Sequence, residues 1–311
     1  MKKPLAYNAT LVERVDLNPT LAIFKIRPDR PLVDPQWFVP GQYVAIGLNN
    51  EEEPDLGSVQ RPMSIASAPY ELDALEFYIR SISKPASKNP LTPLLWKMKA
   101  GGRIYLTRKP AGYFTLPHTV GAGDPRRKIF VSAGTGLAPF VSILRDHRHH
   151  HPESDLSEFA VFHGTSYPID LGYREEMQRH RLRYFATVSR PKEAPEWKGD
   201  VGRVEDYFSP ERIGTTEDRL GLPRQGLTVR SAVVYVCGLQ GTIAMTVRQL
   251  LARGFVPNHK QLRHALEVPE SMPSSLFFES YDTDPILDLK DEGLLASLRE
   301  EARRGLAIVK P

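Results

Sequence analysis

The sequence predicts two domains of different class: a small antiparallel β-barrel, then a parallel-sheet α/β domain carrying a C-terminal extension. Three observations carry this expectation. Up to about Thr107 the apolar runs are short, rich in β-branched and aromatic residues, and separated by Pro, Gly, Asn and Asp. After Pro125 strand-like runs alternate with helical patterns, the signature of a parallel sheet covered on both faces. Between them Thr119-Val-Gly-Ala-Gly-Asp-Pro125 forms a turn-rich link. The expected divisions are residues 1–124, 125–281 and 282–311.

In the first division strands are expected at Leu21–Ile26, Tyr43–Leu48, Arg61–Ser67, Leu75–Ile82 and Arg103–Thr107, with one short helix around Leu91 to Met98. In the second, strands are expected near 129–132, 159–163, 184–188, 232–237 and 275–281, and helices near 138–149, 171–180, 241–253 and 259–267. The extension begins in turn residues at Asp282 and then offers a helix near Asp291 to Arg304, with Leu294, Leu295, Leu298 and Ala302 as its apolar stripe. That stripe either packs on the body of the protein or meets a partner.

Composition excludes several classes. A hydrophobic fraction of 41% with 25% charged residues is that of a soluble globular protein, and no apolar run is long enough to span a membrane. Met1-Lys2-Lys3-Pro4-Leu5 has no signal-peptide core behind its lysines, so the expected compartment is cytoplasmic. The one cysteine, Cys237, excludes an internal disulfide and a four-cysteine iron–sulfur cluster. A net charge of +4 is too mild to imply nucleic acid and suits an acidic partner. His147-Arg-His-His-His151 closes a predicted helix, where cations suit the dipole, and no metal is expected there.

The segment Lys128–Leu144 has the most chemical content. Ile129–Val131 ends in Ser132-Ala133-Gly134-Thr135-Gly136, and Pro139 opens a helical pattern through Phe140, Val141 and Leu144. A strand, a glycine turn and a helix start are what a phosphate needs, because glycines admit the anion and the first turn offers free N–H groups. The common dinucleotide fingerprint would want glycine at Pro139 and an acid after the next strand, which instead ends in His163-Gly164-Thr165-Ser166.

Arg61-Pro-Met-Ser64, Gly134-Thr-Gly-Leu-Ala-Pro139 and Val236-Cys-Gly238, in this order, make the chain resemble the ferredoxin–NADP⁺ reductase family. Pro40-Gly41-Gln42-Tyr43 and Lys109-Pro-Ala-Gly-Tyr-Phe114 fit its bacterial members, and the likeness runs from about Leu5 to Tyr281. It implies a six-stranded FAD-binding barrel, an NADP-binding α/β domain, and electron transfer between NADP(H) and a ferredoxin or flavodoxin.

By this resemblance Arg61 pairs with the FAD pyrophosphate, Pro62 and Met63 continue the motif, and Ser64 puts its hydroxyl near the flavin's reactive nitrogen. Read alone, Arg61 is a surface charge and Ser64 a satisfied strand hydroxyl, and the order of the motifs reverses that reading. Met63 departs from the family's tyrosine, and a thioether packs on a ring more loosely. Tyr78, Ile79 and Arg80 match the strand along the FAD phosphates and adenine, and alternation puts Tyr78 and Arg80 on one face. Pro90, Leu91 and Thr92 resemble a second phosphate clamp, with Thr92 read alone as a helix cap.

The same likeness puts Gly134, Thr135, Gly136 and Pro139 around the nicotinamide nucleotide's pyrophosphate, and Ser189, Arg190 and Arg203 at its 2′-phosphate. The third arginine that some bacterial members carry after His-Gly is absent. Cys237 and Gly238 lie beside the nicotinamide in this reading, Glu279 near Ser64 and the hydride path, and Tyr281 as a lid on the flavin; the alternative is a core strand with a surface tyrosine. Lys84, Lys88, Lys97, Lys99 and Arg103 form either a solvated face or a docking surface for an acidic ferredoxin. Rival readings are a reductase serving an oxygenase, a flavin or quinone reductase, and a flavin-poor binding module.

Overall fold

A computed structural model describes residues 4–85, 87–121, 123–179, 182–281 and 285–309. Met1-Lys2-Lys3, Ala122 of the link, His180 at the end of an expected helix, and Asp282 and Pro311 of the extension lie outside the described residues. The chain divides into two compact units, Met1–His118 with Ala138–Glu153, and Thr119–Leu137 with Ser154–Pro311.

The first unit holds six antiparallel strands, β1 (Ala9–Asn18), β2 (Leu21–Pro28), β3 (Tyr43–Asn49), β4 (Ser58–Ser64), β5 (Leu75–Arg80) and β6 (Arg103–Leu106), in the order β4-β3-β6-β1-β2-β5. The two edge strands meet where the Ala66 N–H donates to the Glu76 carbonyl at 2.8 Å. Leu11, Phe24, Ile26, Ile46, Phe77 and Ile104 fill the interior at 0% exposure. Strand β1 is absent from the sequence expectation; its Glu13, Arg14 and Asp16 break the apolar alternation, and it is held by pairing with β2. Helix α1 (Leu91–Lys97) and the short α2 (Leu116–Thr119) follow, and α3 (Ala138–His150) belongs to this unit through residue 153. The Ser142 hydroxyl donates to the Ser67 carbonyl at 2.7 Å, and Arg145 pairs with Glu76 at 2.9 Å.

The second unit is a parallel sheet of β7 (Arg127–Ala133), β8 (Phe159–Thr165), β9 (Arg183–Val188), β10 (Asp200–Val201), β11 (Ala232–Gly238) and β12 (Leu276–Ser280), in the order β10-β9-β8-β7-β11-β12. The chain steps outward from β7 to β10, then returns to lay β11 on the other side of β7. Ligands of open α/β sheets bind at such a reversal, outside the carboxyl ends of the strands. Helices α4 (Arg174–Gln178), α5 (Ile213–Leu220), α6 (Gln240–Leu251) and α7 (Lys260–Ala265) connect the strands. Helix α4 starts later than the 171–180 pattern suggests, because a tight turn takes up Pro168–Asp170 and Tyr173 enters the helix at φ 58°.

The extension forms α8 (Glu292–Val309), whose Leu298 and Ala302 join the core of this unit. A side chain at Gly305 would fall 2.1 Å from the Leu251 carbonyl oxygen, so α8 seats closely at the end of α6. Arg299 Nε also donates to the Ala265 carbonyl at 2.8 Å. Of the two readings of the stripe, packing on the body holds.

Candidate functional site

In the first unit two motifs far apart in sequence lock together. Gly41 sits at φ 99°, and a Cβ there would lie 2.1 Å from the Phe114 carbonyl oxygen. Gln42 receives the Val39 N–H on its side-chain oxygen at 2.9 Å and donates to the Gly112 carbonyl at 3.1 Å, while Tyr43 and Ala111 exchange backbone bonds. This corner starts β3, against which β4 presents Arg61 opposite Ile46 and Ser64 opposite Tyr43. Pro62 is tolerated within β4 because β4 is an edge strand. Arg61 is exposed and bonds the Gln60 carbonyl at 2.8 Å, Met63 is half-buried against the barrel core, and Ser64 is buried.

Ser64 lies two residues before the join between β4 and β5, and Tyr78 two residues after it. Tyr78 and Ile79 are both buried and Arg80 is half-buried, so burial does not separate the two faces of β5 that alternation predicts. Thr92 does not cap α1: the N-cap is Pro90, and the Thr92 hydroxyl accepts the Ile82 N–H at 3.2 Å. That bond brings Pro90-Leu91-Thr92 to the end of β5, two residues beyond Arg80.

In the second unit the β7 turn lies at the sheet reversal. Gly134 has φ 56° and open space where a side chain would stand, whereas Cβ atoms at Gly136 and Gly238 would lie 2.0 Å from the Cys237 carbonyl oxygen and 2.7 Å from that of Ala133. Gly134 keeps an approach open, and the other two let the β7 turn and the end of β11 close on each other. His163, fully buried at the end of β8, bridges the Gly134 carbonyl (Nε2, 3.1 Å) and the Tyr184 hydroxyl (Nδ1, 3.0 Å). A carbonyl only accepts, so Nε2 carries the hydrogen in this arrangement. Nothing in the isolated His-Gly dipeptide signals this bridge.

The basic residues stand two strands away. Val201 pairs with Val188 and the Gly202 N–H donates to the Val188 carbonyl, so Ser189-Arg190 and Gly202-Arg203 leave adjoining strands together. Arg190 is exposed, bonded to the Tyr167 hydroxyl at 2.8 Å with its guanidinium 5.6 Å from that ring. Arg203 Nε contacts the buried Glu205 carboxylate at 2.5 Å. Arg212, outside the sequence motifs, donates to the Val201 carbonyl at 2.9 Å beside the same turn. Tyr167 and Arg212 escaped the sequence reading because only folding brings them to these strand ends, and Glu205, two residues after Arg203, because nothing in the sequence marks its carboxylate as buried.

On the other side of the turn Cys237 is in register with Glu279. Burial pushes the Cys237 thiol well up, aided by the Glu279 charge and opposed by a hydrogen bond with Tyr281. Burial also pushes the Glu279 carboxyl up to about 7, and its Oε2 is buried without a hydrogen bond among the described residues. The Tyr281 hydroxyl donates to the Thr135 carbonyl at 3.0 Å, and the residue is 44% exposed. The end of β12 is thereby tied to the glycine turn.

The histidines that close α3 are engaged with neighbours: His149 stacks on Tyr70 at 3.9 Å, and His147 and His151 lie 4.6 Å apart. Among the described residues no group of three or more His, Cys, Asp or Glu is placed to hold a metal ion, and no helix is long and apolar enough to cross a membrane.

Comparison with known proteins agrees with this fold. The profile of the family described as Oxidoreductase NAD-binding domain matches residues 130–248. The ferredoxin–NADP reductase of Pseudomonas aeruginosa (strain PAO1) is 34% identical over 204 residues, 60% of this chain and 68% of that protein. The chain belongs to the ferredoxin–NADP⁺ reductase family. It is an oxidoreductase of that family, whose six-stranded antiparallel and parallel-sheet units it reproduces. The structure of a ferredoxin NADP⁺ reductase from Neisseria gonorrhoeae with bound FAD and NADP shares the fold, with a TM-score of 0.67 and 22% identity over 88% of this chain and 98% of that one. The reductase component of phenol 2-monooxygenase from Pseudomonas sp. (strain CF600) is 28% identical over 206 residues, 64% of this chain and 52% of that protein.

Proposed function

We propose that this family member exchanges a hydride with NADP(H) and passes single electrons to a separate ferredoxin or flavodoxin. FAD and NADP(H) are its cofactors; the flavin, when bound, converts two-electron into one-electron chemistry. The single observation that carries the nucleotide assignment is the pair Arg190 and Arg203, on adjoining strand ends beyond an open glycine turn. The strand after that turn ends in Thr165 and Ser166, where an acid would hold a ribose hydroxyl.

The roles of the chain's own groups follow from their chemistry. Gly134, Thr135 and Gly136 let backbone approach the pyrophosphate of the nucleotide, with Pro139 opening the helix behind them. Ser189 and Arg190 receive the 2′-phosphate together with Arg203. In the barrel, Arg61 offers its fork to the FAD phosphates, with Tyr78, Arg80 and Thr92 along the same cofactor, and Ser64 holds its hydroxyl at the flavin's reactive edge. Cys237 and Gly238 shape the nicotinamide side, and Glu279 holds a proton close to neutral pH. Tyr281 serves as the aromatic lid.

A separate acceptor is supported by the one cysteine, since the chain cannot carry a four-cysteine cluster. Lys97 is bonded to Glu52 and Arg103 to Asp29, which among the described residues leaves Lys84, Lys88 and Lys99 of this set for an acidic partner. A second reading, service to an oxygenase, is favoured by the likeness to the phenol 2-monooxygenase component.

The test is an absorbance spectrum of the purified protein before and after anaerobic NADPH, with NADH in parallel. A flavin band bleached by NADPH and only slowly by NADH is expected, and Arg190→Ala is expected to weaken NADPH at least tenfold more than NADH. A protein without flavin that refuses added FAD, or equal losses for both nucleotides, overturns the assignment. Reduction of an added ferredoxin, against an oxygenase iron–sulfur component, separates the two acceptor readings.

A further inference from the structure

We infer that Glu205 is a positioning residue that fixes Arg203 for the 2′-phosphate of the nucleotide while tempering its charge. This rests on the 2′-phosphate reading above. Glu205 is 3% exposed and meets Arg203 through Oε1 alone, at 2.5 Å from Nε; its Oε2 is buried without a hydrogen bond among the described residues. Arg203 itself keeps 58% of its side chain exposed. A carboxylate that engages Nε occupies the inner edge of the guanidinium and leaves the two Nη groups facing outward, the fork that two phosphate oxygens match.

The backbone of the arginine is fixed in the same way. The Asp206 carboxylate accepts the Arg203 N–H at 2.7 Å, and Gly202 has φ 121° with its Cβ position only 2.5 Å from that carboxylate. Gly202-Arg203-Val204-Glu205-Asp206 is therefore one built turn, with one acid on the arginine's backbone and the other on its side chain. The buried carboxylate also subtracts charge at the site. Holding the arginine favours phosphate, while the negative charge opposes it.

These two effects separate by substitution. Glu205→Gln keeps an oxygen for Nε and removes the charge; Glu205→Leu removes both. Calorimetric titration of the FAD-loaded protein with adenosine 2′,5′-bisphosphate, and with 5′-AMP as the probe lacking the 2′-phosphate, reads each effect. The bisphosphate is expected to bind two- to fivefold tighter to Glu205→Gln and three- to tenfold weaker to Glu205→Leu, with 5′-AMP unchanged in both. Binding by the Leu variant as tight as by the Gln variant overturns the positioning role, as does an equal loss of 5′-AMP affinity in the Leu variant. Arg203→Ala keeps the underlying reading separable: a tenfold loss specific to the bisphosphate supports it, and an unchanged ratio of the two probes removes the phosphate site and this inference with it. Unchanged near-ultraviolet circular dichroism in the Gln variant shows that the turn is intact.

Discussion

Glu279 is the residue whose titration the fold alters most usefully. It lies across from Cys237 on the paired ends of β11 and β12, and desolvation lifts its carboxyl from 4.5 to about 7. The folded protein thus holds this proton more tightly than the unfolded chain does. Its stabilising effect is complete below pH 4.5 and is lost as pH rises through 7. Glu279→Gln, which stays neutral, is therefore expected to stabilise the protein by about 1 kcal/mol at pH 5 and about 3 kcal/mol at pH 8. Urea unfolding at the two pH values measures this, and an equal gain at both would mean that the carboxyl is ionised throughout. The strands that carry Cys237 and Glu279 were legible, because each contains a short apolar run. His163 was not legible as a bridge, since its partners Gly134 and Tyr184 lie 29 and 21 residues away along the chain.

At the scale of elements, the β7 turn puts two kinds of glycine side by side. Gly134→Ala meets no atom but must hold φ 56°, which costs about 1 kcal/mol for an L-residue. Gly136→Ala must push its methyl into the Cys237 carbonyl, so the end of β11 or the turn has to move. Thermal melts are expected to show a small loss for the first and a several-fold larger one for the second, while nucleotide titration shows weakened binding for both. Similar melting losses would mean that the turn relaxes freely. The turn itself was readable because a strand, glycines and a proline-led helix stand contiguously in the sequence. So were β2, β3, β5 and β6, each bounded by turn residues. Strand β1 was hidden by its half-exposed, charged face, and β10 by having only two residues, too few for any periodicity. The paired ends of β9 and β10 were legible only as two separate basic motifs; their closeness depends on the register that β10 supplies.

At the scale of the whole molecule, the C-terminal extension is structural. Leu298 is fully buried in the core of the second unit, so Leu298→Ala is expected to cost about 2–5 kcal/mol, measured as a lowered urea midpoint. A loss below about 0.5 kcal/mol, the scale of ordinary surface changes, would make α8 an appendage. The interleaving of the two units carries a different message, one about recombination. The polypeptide passes between them three times, since residues 138–153 return to the first unit before the second is finished. A gene fragment that stops in the Thr119–Pro125 link encodes all six barrel strands yet omits Phe140, Ser142 and Arg145, and with them an ion-pair partner of Glu76 and a ring that meets Phe114. Exchanging whole cassettes between relatives at that link therefore splits a packed helix from its seat. A chimera that inherits its barrel from one parent must inherit residues 138–153 from the same parent, which restricts how such reductases can be shuffled by nature or by design.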